Sequence, residues 1–97
     1  MQEEIKINYE NKPEEESENV SLVLNQNNIM NEFILALFDV VFGLSISEGE
    51  SIIKAAEKDG SAVIGSYEYN EAVNKFNKVK LVFDTIGWPI CITMREY

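Results

Sequence analysis

Between Val20 and Phe42 the apolar residues change their spacing once, and that change limits the possible folds more than any other feature of the chain. Val20, Leu22 and Leu24 alternate with Ser21, Val23 and Asn25, the two-residue period of a strand. Four amide side chains follow, Asn25, Gln26, Asn27 and Asn28. Met30, Phe33, Ile34, Leu37, Phe38 and Val41 then recur at helical spacing, and Leu35, Val40 and Phe42 widen the stripe. This first helix is therefore expected to be the most buried, with Gly43 ending it in a left-handed turn.

The remaining elements are read the same way. Ser45 with Glu48 and Ser47 with Glu50 are two overlapping capping boxes for a second helix, placed at about Ser47 to Asp59. Ile52, Ile53 and Ala56 form its inward face, and Gly60 stops it. "SAVIGSYEY" alternates as a second strand. Asn70 can cap a third helix, lined by Ala72, Phe76, Val79, Phe83 and Ile86, which Gly87 and Pro89 end. "PICITMRE" reads as a third strand, with Ile90, Ile92 and Met94 sharing one face. Three strands cannot bury a face alone. The expected fold is α+β, a small two-layer sandwich of β-α-α-β-α-β order, with a three-stranded sheet and its helices on one face.

Composition limits function more than fold. The chain has 97 residues, enough for one domain. Its net charge of −9 disfavours nucleic acid and anionic membrane as partners. Residues 1–19 hold seven Glu and two Lys and read as a flexible acidic arm before a domain over residues 20–97. With no histidine, the usual triads and zinc sets are excluded, and neither a metal nor a cofactor is expected. Cys91 is the only cysteine and lies in an alternating apolar run, so it reads as structural. No apolar run approaches the roughly 20 residues of a membrane span, so a cytoplasmic monomer is the expectation.

"VLNQNN…NEF", "AAEKDGSAVIGSY" and "GWPICITMRE", in that order, resemble the Clp protease adaptor family, ClpS, from Val20 onward. The resemblance implies an adaptor and not an enzyme. Family members hold a substrate protein by a bulky apolar N-terminal residue and dock on the N-terminal domain of a Clp-type AAA+ unfoldase. The α-amino group is held at the turn between the first strand and the first helix, and the side chain enters an apolar pocket between the first two helices. The family's turn reads Asn-Asp-Asp, which here becomes Asn25, Gln26 and Asn27. A family His falls on Glu57, a gating Met on Asn31 and a neighbouring Thr on Ile29. Pocket walls fall on Ile34, Leu37, Ile53 and Ala56. For docking on the unfoldase, Lys75 matches a basic position and a family acid falls on Asn70, with Glu71 beside it.

Physical chemistry leaves two roles open for these residues. Hydrogen bonds to charged groups contribute roughly 1.5–3 kcal/mol, against about 1 kcal/mol for neutral pairs, so amides in place of acids weaken the hold on an ammonium group. Glu57 returns one carboxylate if it faces the pocket, and is a solvated helix residue if it faces water. The amide run can equally be an ordinary turn, because Asn side chains bond their own backbone. Two function classes compete, a reader of protein N-termini and an interaction module with the same fold. A carboxylate-based hydrolase ranks last, because no pair of acids is marked out.

Overall fold

The computed structural model describes residues 19–96. The expected arm therefore lies outside the described residues, except Asn19, which opens the first strand. The elements run β1 (Asn19–Asn25), α1 (Asn31–Leu37), α2 (Ile46–Asp59), β2 (Ser61–Glu68), α3 (Tyr69–Ile86) and β3 (Ile92–Glu96). This is the expected order. One feature was not expected: α1 runs on as a wider π-helical turn over Phe38–Phe42 before Gly43.

β1 is the central strand, antiparallel to β2 on one side and to β3 on the other. Leu24 stands opposite Ala62 and Ile92, and Leu22 opposite Gly65 and Met94. All five residues from Val20 to Leu24 are buried, although only three were expected to face the helices. A bulge lies opposite Leu22 and Val23, where Ile64 is the extra residue on β2. Its side chain is buried in the core with Leu24 and Ile92. On the same face, Ile34, Leu37, Phe38 and Val41 meet Ile53 and Ala56 of α2 and Val79 and Phe83 of α3.

Several boundaries moved for identifiable reasons. Of the two capping boxes, Ser45 with Glu48 forms: the Glu48 N–H donates to Ser45 Oγ at 3.1 Å, and the Ser45 N–H donates to Glu48 Oε1 at 2.9 Å. α2 therefore starts at Ile46, and Ser47 lies inside it. Asn70 is not a cap, because α3 already begins at Tyr69, and Glu68 precedes it without a side-chain bond. Val40 is 82% exposed, contrary to the widened stripe. The extra residue per turn in the π segment rotates it outward while Val41 stays buried. Ile86 and Ile90 are also exposed, each at about two fifths. β3 begins only at Ile92, so Ile90 belongs to the preceding loop.

The cap allows a direct test. Ser45→Ala removes the acceptor at the start of α2 and should cost about 1 kcal/mol in urea unfolding. The Glu48 carboxyl is held below its ordinary value, first by its bond to the Ser45 N–H and then by the Ser45 hydroxyl. A lowered value stabilises the fold above the unfolded value and loses that contribution as pH falls. The penalty of Ser45→Ala should therefore shrink below about pH 4.5.

Candidate functional site

The turn after β1 is fixed to both neighbouring loops by its backbone. The Asn25 N–H donates to the Cys91 carbonyl at 2.8 Å, and the Gln26 N–H to the Gly60 carbonyl at 2.9 Å. Asn27 closes the turn with its side chain. Its Nδ2 donates to the Asn25 carbonyl and its Oδ1 accepts from the Ile29 N–H, both at 2.9 Å. Asn25 Nδ2 donates to Thr93 Oγ1 at 3.2 Å, which joins the turn to β3. Two of the four amides are thus partly committed to holding the loop, as the turn reading anticipates. The carboxamides of Gln26 and Asn28 make no hydrogen bond among the described residues.

Between this turn, α1 and α2 lies a small hollow. Leu24, Ile34, Ile53 and Ala56 line it with apolar surface, and Gln26, Asn27, Asn31 and Glu57 surround it with polar groups. Its volume is about 20 Å³, room for about one water molecule. Ile53, Ala56 and Glu57 reach it together because positions i, i+3 and i+4 share one face of a helix. Glu57 is an exposed carboxylate with no ion pair among the described residues.

Seven of the ten residues expected around a ligand thus meet at one place. The other three do not join them. Leu37 is a core residue, 5% exposed, and Asn25 and Ile29 face a second pocket on the far side of the turn. That pocket is much larger, about 540 Å³, and is closed on its other wall by Trp88, Pro89, Ile90 and Cys91. The sequence reading missed it. The one available signal was Trp88, a large aromatic residue set between Gly87 and Pro89.

The positions expected to dock on a partner are divided. Asn70 and Glu71 are exposed at the start of α3. Lys75 is largely covered. Its Nζ donates to the Val41 carbonyl at 3.2 Å and lies 5.2 Å from the Tyr67 ring centre and 5.8 Å from that of Phe42. The Glu71 carboxylate is 4.0 Å away. Lys75 therefore satisfies an orphan carbonyl at the end of the π turn, a structural task that competes with reaching a partner.

Cys91 is buried, and burial pushes its thiol up to about 11. A thiol reagent at pH 8 should modify it only as fast as the loop opens, with a rate that rises in urea; rapid labelling of native protein would contradict this burial. Among the described residues no group of three or more His, Cys, Asp and Glu side chains is placed to hold a metal ion. Nor is any described helix long and apolar enough to cross a membrane.

No protein-family model matches the chain. Curated relatives do. It is 32% identical over 69 residues to the ATP-dependent Clp protease adapter protein ClpS of Leptospira biflexa, covering 71% of this chain and 61% of that protein. The chain thus spans about three fifths of that relative's length. It is 27% identical over 75 residues to the ClpS of Nautilia profundicola, with 77% of each chain covered. Among solved structures, Agrobacterium tumefaciens ClpS2 bound to L-phenylalaninamide superposes with a TM-score of 0.76 at 22% identity, over 84% of this chain and all of that one. That likeness concerns the fold. In sequence and in fold together, the chain is ClpS-like.

Proposed function

We propose that this chain is an adaptor that binds a protein by its N-terminal residue and delivers it to a Clp-type AAA+ unfoldase–protease. The observation that carries this reading is the position of Glu57. It is a carboxylate at the rim of the hollow with no ion pair among the described residues, facing a turn of amides, with apolar surface beneath. A protonated α-amino group, cationic below its ordinary pKa of about 7.7–8.0, needs one negative partner and further acceptors. Glu57 supplies the charge, and the Gln26 and Asn31 carboxamide oxygens supply acceptors. Leu24, Ile34, Ile53 and Ala56 form the floor for an apolar side chain. The L-phenylalaninamide carried by ClpS2 is a free amine bearing an aromatic side chain, the chemistry this rim and floor suit.

The hollow has to widen to take such a side chain. Gln26, Asn31 and Glu57 are exposed, so swinging them outward uncovers the floor without moving the core. Delivery then raises the effective concentration of the bound protein at the unfoldase. In a reconstituted Clp reaction, the chain should speed degradation of a reporter beginning with Leu or Phe and not of one beginning with Gly. Equal effects on all reporters would overturn the reading.

A second reading has one observation in its favour. The hollow admits about one water, as it would in a module that keeps the fold and recognises its partner elsewhere. Such a protein would regulate an unfoldase without reading N-termini.

A further inference from the structure

We propose that the larger pocket, between the β1–α1 turn and the Trp88–Cys91 segment, is a second binding site, for an uncharged internal stretch of polypeptide that inserts one bulky apolar side chain. This goes beyond the proposed function. The site needs no free amino terminus and uses neither Glu57 nor the hollow between α1 and α2.

The volume fits. About 540 Å³ lies within the range of sites that enclose small molecules or single large side chains. The lining is apolar along Ile29, Met30, Trp88, Pro89 and Ile90, and three of these are exposed large hydrophobic residues: Met30 at 65%, Trp88 at 44% and Ile90 at 39%. Singly exposed apolar residues are ordinary; three on facing walls of one concavity are not.

Charge selects the occupant. Of the ten lining residues only Cys91 can titrate, and its raised value keeps it neutral at ordinary pH. A cation entering there finds no counter-ion, and an anion is repelled by a chain of net charge −9. The hydrogen-bonding groups of the rim are neutral and of the peptide kind. They include the Asn28 carboxamide and the Ile90 N–H, neither with a partner among the described residues. A peptide backbone passing over the rim offers the matching carbonyl and N–H groups, while its side chain fills the apolar floor.

Both walls are already fixed. The turn is pinned by Asn25 to Cys91, Gln26 to Gly60 and the Asn27 side chain. Trp88 stands edge-on to Phe33 at 5.2 Å, and its backbone N–H donates to the Phe83 carbonyl at 3.2 Å. A preformed site loses little ordering entropy on binding.

The test uses Trp88 itself, because the chain has one tryptophan. The full chain is titrated with Ac-Gly-Ser-Gly-Leu-Gly-Ser-Gly-NH2, which has no free amine and no chromophore, and with the same peptide carrying Asp or Lys in place of Leu. The Leu peptide should shift Trp88 emission saturably, at least tenfold more tightly than either charged peptide, and equally in 0.5 M salt. Ile90→Asp should lose at least tenfold while far-UV circular dichroism stays unchanged, and Glu57→Gln should leave binding intact. If Ile90→Asp unfolds, Met30→Lys, at a more exposed position, replaces it. The proposal is overturned by the absence of a saturable shift, by equal binding of the charged peptides, or by equal loss in Glu57→Gln. It is also overturned if emission changes with protein concentration alone, which would mean that a second copy covers the pocket.

Discussion

Phe38→Ala is expected to lower the free energy of unfolding by about 3–5 kcal/mol, roughly half of what a domain of this size has to lose. Phe38 is wholly buried at the junction of α1 and its π-helical extension. Its ring stands edge-on to Phe42 at 6.0 Å. On the other side, a Cβ placed on Gly49 would come within 3.1 Å of it, so α2 packs directly against this ring. Removing the ring opens a cavity between three elements that a small core cannot close. Urea unfolding should show a lower midpoint with an unchanged slope. A loss below about 1 kcal/mol would mean that the π turn relaxes into the space, and that the junction contributes little to holding α2 against α1.

Gly65→Ala is expected to cost about 1–3 kcal/mol, a large effect for one added methyl group. A Cβ at this position would lie 2.5 Å from the Tyr67 hydroxyl oxygen and 2.9 Å from the ring carbon that bears it. Gly65 and Tyr67 are two residues apart on β2 and so share one face, which sets the glycine beneath that ring. Tyr67 cannot easily withdraw, because its ring lies 6.3 Å from that of Phe42 and supports the Lys75 ammonium group. Displacing it undoes the contacts that hold Lys75 over the Val41 carbonyl. The phenol gives an independent readout. Burial, and secondarily the charge of Glu71, raise its ionisation above the usual value. In Gly65→Ala the Tyr67 titration, followed by NMR of the ring carbons, should move back towards the usual value. Unchanged stability together with an unchanged titration would show that the ring never covered Gly65.

Local chemistry made most of the fold legible. Gly43, Gly60 and Gly87 each end a helix at positive φ, as their places after apolar stripes imply. The Ser45–Glu48 box marked the start of α2 to within two residues. What stayed hidden depends on contacts distant in the chain. The π turn has no composition of its own, so Val40 looked like core. Ile90 looked like strand because the loop that exposes it is fixed by Asn25 bonding to Cys91 across most of the domain. The site divides in the same way. Ile53 and Ala56 were legible as part of the inward face of α2, whereas Glu57 came in by the resemblance with its direction left open. The Trp88 pocket needs two segments that only the folded sheet brings together.

Glu57 at the rim of the hollow is the point on which the adaptor reading turns, and calorimetry on one peptide pair tests it most directly. A peptide beginning with Leu is titrated into the full chain at pH 6.5 with its amino group free, then N-acetylated. We expect the free form to bind at least tenfold more tightly, with the difference shrinking in Glu57→Gln and fading as the amine deprotonates above about pH 8. Equal affinity for the two forms, or an advantage that Glu57→Gln leaves untouched, would contradict recognition of an amino terminus at this rim.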